Sequence, residues 1–445
     1  MCGIYGITAH DPEFVHQYLQ VCKHRGPDAE KVWWDPNHKV TLGHNLLSIM
    51  ADPKISIQPW KTPKGNTLVY NGEIFNYYEL KQKYKGKGFA GITGCDTELL
   101  AWGLDEFGLD FIDEIDSMHG FAYYKHKEQE IWLSRDHAGI KPLYYAEIKE
   151  GLVFGSEIKG MLDKVPGSRT LDKLAASFQS RTGLNPLRNT LFSGIKKLLP
   201  GETIVWSIDD KKIIDQKRIY IKPNCNIKFE AKEFRQQLAK AVKRCSIGRR
   251  KIGVFLSGGL DSSVVAYELG KIKKQVKTFT NKFSPDVTSD EDFNSDAKAA
   301  KILAEREDFM HTEVEITPKI IKESWDDSVY FGEQPVYTAN SSLYCYTNKF
   351  LAERDIVITM SGDMGDEILG GYVKYKHMLQ GRIRLTSWND VLKHWLNRIK
   401  RPVPLTENVL SDEILLDAFN KCYSDALWNA EDPTASYMAL DCVTQ

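Results

Sequence analysis

The sequence has no marked imbalance of charge and no long apolar run. Its 445 residues include 59 lysines and arginines against 60 aspartates and glutamates, so the formal net charge is −1. A near-neutral chain has no global electrostatic attraction to nucleic acid or to an anionic membrane. Because no apolar stretch approaches the ~18 residues that span a bilayer, we expect neither a membrane nor a nucleic acid as partner.

Zinc spacing and an export signal are also missing. The eight cysteines include no C-x-x-C pair, and residues 1–7 lack the basic and apolar segments of a signal peptide. We therefore expect a cytoplasmic protein whose cysteines are reduced thiols.

A glycine turn with serines dominates the second half of the chain. Residues 257–263 read Ser-Gly-Gly-Leu-Asp-Ser-Ser and lie between an apolar run at 251–256 and a helical pattern at 264–270. A turn of this kind brings unpaired N–H groups and a positive helix end to a phosphate. It is not a Walker A loop, because the lysine is missing. Asp261 would repel a polyphosphate, so we expect Mg²⁺ between them. The alternative is an ordinary turn capped by serines.

A second glycine turn, at residues 361–367, follows the apolar run at 356–360 and holds Asp363, Asp366 and Glu367. Three acids on one turn are costly without a cation, so Asp366 could share the Mg²⁺, while Asp363 or Glu367 takes a proton or holds an amine. A solvated acidic loop is the alternative. Alternating strands and helices here predict a doubly wound parallel sheet with its ligand at the carboxyl ends of the strands.

Candidate nucleophilic chemistry lies in the first half of the chain. If Met1 is removed, Cys2 carries a thiol beside a free α-amine, which can act as its base. Asn71 and Gly72 could offer the side-chain amide and backbone N–H of an oxyanion hole, although Asn-Gly is also typical of a turn. Asp96 opens an apolar helix and could simply be its N-cap.

Motifs over nearly the whole chain, taken together, resemble the glutamine-hydrolysing asparagine synthetases. In chain order they are Cys2-Gly-Ile, His24-Arg-Gly-Pro-Asp28, Asn71-Gly-Glu-Ile-Phe-Asn76, Asp96-Thr-Glu98, Gly139-Ile-Lys-Pro-Leu-Tyr-Tyr145, Ser156-Glu-Ile-Lys159, Leu191-Phe-Ser-Gly-Ile195 and the 257–263 turn. Several of these motifs would be weak alone, but the ordered set is highly specific.

The resemblance implies a fold in two parts. Residues 1–205 would form an α+β N-terminal-nucleophile sandwich (αββα), the glutaminase domain, and residues 206–232 a linker. Residues 233–445 would form an α/β doubly wound parallel-sheet ATP-pyrophosphatase domain, the synthetase half, which is shorter than in the family at its C-terminal end.

The same resemblance implies the activity. Glutamine would be hydrolysed to ammonia, which amidates a small carboxylate, with aspartate as the expected acceptor, through an acyl-adenylate that releases AMP and pyrophosphate. ATP and Mg²⁺ are the expected cofactors, and whether the chain forms a homodimer stays open.

The family motifs also assign roles to individual positions. The implied catalytic residues are Cys2, Asn71, Gly72 and Asp363, and the metal ligands are Asp261 and Asp366. The implied glutamine-binding residues are Leu47, Ser48, Ile49, Glu73 and Asp96. The implied ATP-binding residues are Leu256, Ser257, Gly258, Gly259, Asp261, Ser262, Ser263, Ser361 and Gly362.

One position departs from the family. The run at 43–49 has Leu46 where the family has an arginine that grips the glutamine α-carboxylate. With leucine there, either another cation covers the substrate, or glutamine is bound weakly, or the nitrogen donor differs. Three alternatives also stay open for the chain: an enzyme that amidates or cyclises a different carboxylate, a catalytically weakened nucleotide-binding relative, or an enzyme of nucleic-acid modification.

Overall fold

The computed structural model describes residues 1–37, 39–219, 228–287, 292, 294–336, 338–383, 385–387, 390–391, 393–394 and 410–427. The chain divides into two compact units. The first unit contains Met1–Cys225 and Lys374–Gln445, and the second contains Asn226–Val373. No helix within the described ranges is long and apolar enough to cross a membrane.

The described strands and helices are as follows. The strands are β1 (Gly3–Ile7), β2 (Ala29–Trp34), β3 (Thr41–Leu46), β4 (Trp60–Lys61), β5 (Thr67–Ile74), β6 (Ser117–Lys125), β7 (Glu130–Arg135), β8 (Tyr144–Ile148), β9 (Gly151–Gly155), β10 (Lys196–Lys197), β11 (Glu202–Ser207), β12 (Lys212–Arg218), β13 (Lys251–Phe255), β14 (Lys277–Phe283), β15 (Met310–Ile316) and β16 (Ile356–Met360). The helices are α1 (Pro12–Val21), α2 (Pro53–Ser56), α3 (Tyr77–Tyr84), α4 (Asp96–Phe107), α5 (Lys173–Thr182), α6 (Ala231–Cys245), α7 (Leu260–Gly270), α8 (Ser295–Arg306), α9 (Pro318–Gly332), α10 (Ala339–Ala352), α11 (Gly365–Leu369), α12 (Val373–Leu379) and α13 (Asp412–Leu427).

Two antiparallel sheets stack in the first unit, with strand orders β10-β8-β9-β1-β3-β2 and β12-β11-β7-β6-β5-β4. Successive side chains of a strand point to opposite faces. Accordingly, Ile4 belongs to a buried cluster with Val69 of the other sheet, whereas Tyr5 packs under α1. Leu80 of α3 and Leu100 of α4 cover the outer face of the second sheet. These four layers confirm the predicted αββα sandwich.

A parallel sheet of order β15-β14-β13-β16 forms the second unit. Strands β13, β14 and β15 follow one another across the sheet in chain order, and β16 lies on the opposite side of β13. Helices α6, α7 and α8 share one buried cluster with the sheet, and α9 and α10 share another. This confirms the predicted doubly wound sheet. Strands β13 and β16 pair directly, and the crevice beyond their carboxyl ends is the topological switch point, where such sheets bind ligands.

The compact units divide differently from the predicted domains at two places. Strand β12 pairs with β11 inside the stretch predicted as a linker. Helices α12 and α13 pack with α5, through Tyr375 and Phe419 against Phe178, so they lie in the first unit. The boundaries at 205 and 232 stay predictions, and residues 220–227 and 428–445 lie outside the described part.

Candidate active sites

The Cys2 thiol lies directly before β1, against the backbone that follows β3. Its sulfur is 3.3 Å from the Leu47 nitrogen and 3.5 Å from the Leu47 carbonyl oxygen. Arg25 Nε donates to the Cys2 carbonyl oxygen at 2.9 Å, which fixes the backbone on the other side. Burial raises the pKa of the Cys2 thiol, and the N-terminal ammonium, the Leu47 N–H and Lys141 act against that rise.

The N-terminal amine lies in the same buried environment as the Cys2 thiol. Burial lowers the pKa of the Met1 α-amine to about 5, so an amine at this place is uncharged near pH 7 and can accept a proton. Removal of Met1, which the predicted role of Cys2 requires, would give Cys2 its own α-amine.

A buried ion-pair network supports the backbone of Cys2. Arg25 Nη1 lies 2.9 Å from Glu157 Oε1, His24 Nε2 lies 2.8 Å from the same oxygen, and Lys159 Nζ lies 2.5 Å from Oε2. Burial alone would raise the pKa of Glu157, but these three partners hold it well below its usual range. Sequence reasoning gave neither Arg25 nor Glu157 a role, and the only signal for either was its place in a family motif.

The predicted oxyanion pair lies inside a strand rather than at a turn. Asn71 and Gly72 belong to β5 and face Gly120 and His119 of β6. Asn71 is 1% exposed, and its Nδ2 has no hydrogen-bond partner. A Cβ on Gly72 would lie 2.3 Å from the Met118 carbonyl oxygen, so only glycine fits. The buried, unpaired amide of Asn71 is available to an oxyanion.

Two buried carboxyl groups follow. Asp96 is the first residue of α4 and accepts from Tyr70 OH at 3.1 Å, Ile74 N at 3.1 Å and Thr97 N at 2.9 Å. Cys95, not Asp96, occupies the N-cap position. Burial and the charge of Asp96 raise the pKa of Glu73 well above its usual range, and Glu73 Oε1 has no partner. An ammonium group is the ligand that would satisfy both acids.

The other predicted glutamine-binding residues, Leu47, Ser48 and Ile49, follow β3. The Ser48 N–H donates to Asp28 Oδ2 at 2.8 Å, which holds this segment beside Cys2. Leu46, the position that departs from the family, is the last residue of β3 and is 4% exposed.

The second centre begins with the turn after β13. This turn and the start of α7 hold the predicted ATP-binding residues Leu256, Ser257, Gly258, Gly259, Asp261, Ser262 and Ser263. Gly258 has a φ of +78°, and a Cβ there would lie 2.6 Å from the Asp296 carbonyl oxygen. The Oγ atoms of Ser257 and Ser262 form a hydrogen bond of 3.0 Å, which stabilises the conformation of the turn.

The turn after β16 is strained at one residue. It carries Ser361, Gly362, Asp363, Met364 and Gly365, with Asp366 in α11. Met364 has a φ of +70°, a left-handed conformation that side chains rarely adopt. Backbone strain of this kind is typical of functional turns.

The two turns touch at the switch point. A Cβ on Gly365 would lie 2.5 Å from Asp261 Oδ2, and one on Gly362 would lie 2.8 Å from Asp261 Cβ. Burial, then the charges of Asp366 and Glu367, raise the pKa of Asp261. Asp366 and Glu367 are therefore close enough to disfavour the charged form of Asp261.

This arrangement fits a magnesium ion. Mg²⁺ is usually held by one or two carboxylates together with phosphate oxygens, and the mutual repulsion of Asp261 and Asp366 would be relieved by a cation. In the described ranges there is no cluster of three or more His, Cys, Asp or Glu side chains suited to a metal. The ion would therefore depend on phosphate oxygens as well.

A cavity of about 260 Å³ opens beside the first turn. Ser257, Asn281 and Tyr344 are among the residues that line it. Asp363 accepts a hydrogen bond from Ser361 Oγ at 2.7 Å and is exposed. After burial, the charge of Asp363 is the second cause that raises the pKa of Tyr344, which places this carboxylate near the cavity.

Comparisons with known proteins match the Cys2 centre and the switch-point centre to two different family models. A family model of the glutamine amidotransferase domain matches residues 1–220, and one of asparagine synthase matches residues 233–439. A Methanocaldococcus jannaschii protein provisionally named glutamine-hydrolysing asparagine synthetase 2 is 28% identical over 403 residues, 84% of this chain and 76% of the relative. Glutamine-hydrolysing asparagine synthetase 3 of Bacillus subtilis is 28% identical over 396 residues, 84% of this chain and 63% of the relative.

Among solved structures, glutamine phosphoribosylpyrophosphate amidotransferase from B. subtilis, complexed with ADP and GMP, covers 62% of this chain and 65% of that chain. Its identity to this chain is 18% and its TM-score is 0.37.

The two domains, in this order, define a glutamine amidotransferase joined to a synthetase of the carbon–nitrogen ligase class. The chain belongs to the family of glutamine-hydrolysing asparagine synthetases. It spans less than two thirds of the B. subtilis relative's length.

Proposed function

We propose that the chain hydrolyses glutamine at Cys2 and uses the ammonia to amidate an ATP-activated carboxylate, with aspartate as the acceptor. The observation that carries this proposal is the contact of Asp261 with Gly362 and Gly365 at the switch point, in a chain that also holds a buried Cys2 centre. A hydrolase of glutamine alone would have no use for the second centre.

In the glutaminase half, the Cys2 sulfur attacks the carboxamide carbon of glutamine. The thiol proton passes to the α-amine and then to the departing ammonia. The unpaired Nδ2 of Asn71 and the N–H of Gly72 receive the oxyanion, while Glu73 and Asp96 pair with the substrate α-ammonium. Water then hydrolyses the thioester and releases glutamate.

In the synthetase half, the 257–263 turn binds the phosphates of ATP through its N–H groups and serine hydroxyls. Asp261 and Asp366 would hold Mg²⁺, which neutralises charge on pyrophosphate. A carboxylate oxygen of the acceptor attacks the α-phosphorus and pyrophosphate leaves. Ammonia then attacks the acyl carbon, Asp363 accepts a proton from the nitrogen, and AMP leaves.

A panel of carboxylic acids tests the acceptor. The purified chain is incubated with ATP, Mg²⁺, glutamine and one acid at a time, and AMP and pyrophosphate are quantified. We expect AMP with aspartate and only background with the other acids. Absence of AMP with every acid would instead support a weakened nucleotide-binding relative.

A second candidate function follows from Leu46. A buried leucine, where the family has a carboxylate-binding arginine, removes a charge-assisted clamp worth about 1.5–3 kcal/mol. The chain could therefore take its nitrogen from free ammonia or from a donor other than glutamine. AMP formation with aspartate and ammonium chloride, but not with aspartate and glutamine, would favour this candidate.

A further inference from the structure

Lys141 lies between β7 and β8, and it is 5% exposed. Its backbone N–H donates to Asp136 Oδ2 at 3.0 Å. The Asp136 carboxylate also accepts the N–H groups of His119, Ala138 and Ile140. Asp136 is thus saturated by backbone donors, and its nearness does not neutralise the Lys141 ammonium through an ion pair.

Across the described residues, the Lys141 ammonium forms no ion pair and no hydrogen bond. Burial lowers its pKa to about 8, Arg25 adds to that effect, and Cys2, Asp136 and Glu73 oppose it. An ammonium without a partner on a side chain that is only 5% exposed is poorly solvated, so a negative charge that arrives or forms nearby would be stabilised.

The position of this lysine relates it to the Cys2 centre. A Cβ on Gly120 would lie 3.7 Å from Lys141 Cβ, and Gly120 is the cross-strand partner of Asn71. The positive charge of Lys141 lowers the pKa of the Cys2 thiol and that of the N-terminal amine, so Lys141 lies near both groups. Two buried atoms on β5, Asn71 Nδ2 and Glu73 Oε1, also have no hydrogen-bond partner.

We propose that Lys141 supplies positive charge to the thiolate of Cys2 and to the oxyanion formed on the glutamine carbonyl. This inference rests on the glutaminase half of the proposed function. The lysine stays unpaired in the resting protein because its negative partner exists only during the reaction, which is the arrangement that favours a transition state over a ground state.

Alkylation of Cys2 tests the charge directly. The full chain and its Lys141→Met and Lys141→Arg variants are treated with iodoacetamide across pH 5–10, and modification of Cys2 is followed by peptide mass spectrometry. The N-terminal amine, Arg25, Glu73 and Asp96, which also face this centre, are unchanged in all three. We expect Lys141→Met to raise the midpoint by about one pH unit and Lys141→Arg to restore it.

A matched control is Lys197→Met, which removes another desolvated lysine. Its ammonium already donates to the Asn185 carbonyl oxygen, and burial lowers its pKa to about 7. The pH midpoint of Cys2 alkylation in the Lys197→Met variant should equal that of the wild type.

Kinetics and stability add two readouts that a structural role would not produce. Lys141→Met should lower the kcat of glutamine hydrolysis about 10- to 100-fold with little change in KM. It should also raise the melting temperature, because an unpaired buried charge is removed. An unchanged alkylation midpoint, or a higher KM alone, would overturn the proposal. If the wild type hydrolyses no glutamine, the proposed function fails, yet the midpoint still tests Lys141.

Discussion

The two chemical centres are built in opposite ways. Around Cys2 the functional groups lie on β5, next to strand ends and at the start of α4, and several are already bonded: Asp96 accepts four hydrogen bonds and Glu157 has three basic partners. At the switch point the functional groups lie on turns, Asp363 is exposed, and the charged neighbours of Asp261 are acids.

The difference shows which centre is preorganised. In the Cys2 centre, hydrogen bonds and ion pairs between protein groups hold the backbone of Cys2 and the carboxylate of Asp96 without a substrate, while Asn71 Nδ2 and Glu73 Oε1 stay unpaired. The switch-point centre keeps like charges together, so a cation and phosphates must complete it. Changes in the first centre should therefore affect stability as well as activity, and changes in the second should affect mainly activity.

The largest effect is expected from Cys2→Ala. Loss of the nucleophile should lower glutamine hydrolysis by about 10⁴-fold or more. Synthesis with ammonium chloride as the nitrogen source should stay near the wild-type rate, because the second centre is intact. Glutamate and AMP are measured in parallel. Loss of the ammonia-dependent reaction as well would contradict two separate centres.

Asp261→Asn should break the second centre selectively. Loss of one carboxylate should lower AMP formation about 10²- to 10³-fold, by weakening the hold on the metal nucleotide. Glutamine hydrolysis measured on the same sample should change less than about twofold. Asp286→Asn, at an exposed position, is the matched control and should behave as wild type. Equal losses in both reactions would mean that the centres are not independent.

Gly365→Ala should have a smaller effect. The new Cβ would lie 2.5 Å from Asp261 Oδ2 and push that carboxylate aside. We expect AMP formation to fall about 10- to 100-fold, since misplacement by about an ångström in a site can cost about 100-fold. The control is Gly332→Ala, where the nearest atom, Gln334 Cγ, would be 3.9 Å away. Similar AMP rates in the two variants would argue against close contact of the turns.

The last prediction concerns stability and its dependence on pH. The pKa of Glu157 is lowered in the folded protein, so its ionised form stabilises the fold above the unfolded pKa of about 4.5, and this stability is lost as the pH falls. Glu157→Gln should cost about 3–5 kcal/mol at pH 7, and the difference from wild type should shrink steadily below pH 4.5. Melting curves of both proteins at each pH measure this difference in the free energy of unfolding.

Glu147→Gln is the matched control, because its pair with Lys196 is largely exposed, with 42% and 44% of the side chains accessible. It should cost about 1 kcal/mol or less. A pH-independent difference for Glu157→Gln would show that its charge does not support the Cys2 centre.

Local sequence patterns predicted the parts of the fold that depend on neighbours in the chain. Strand β13, its glycine turn and α7 lie within 20 residues, so periodicity and turn chemistry were sufficient. The packing of α12 and α13 on α5 joins residues about 200 apart in sequence. Apolar spacing gave no signal for which surface they would cover.

The properties of the candidate site also divide into those that local sequence could predict and those that depend on tertiary packing. The residue types of Asn71 and Gly72 suggested an oxyanion pair, but only the register of β5 and β6 shows that they are not a turn. The pair of Arg25 and Glu157 spans 132 positions, and the unpaired state of Lys141 depends on what surrounds it. Neither property can be read from a motif, because both arise from tertiary packing.

The most direct test of two cooperating centres is isotope transfer from glutamine labelled with ¹⁵N in its amide. With ATP, Mg²⁺ and aspartate, the account predicts ¹⁵N in the side-chain amide of asparagine, with one AMP and one pyrophosphate for each asparagine formed. Glutamate released without labelled amide, or ADP and phosphate in place of AMP and pyrophosphate, would contradict it.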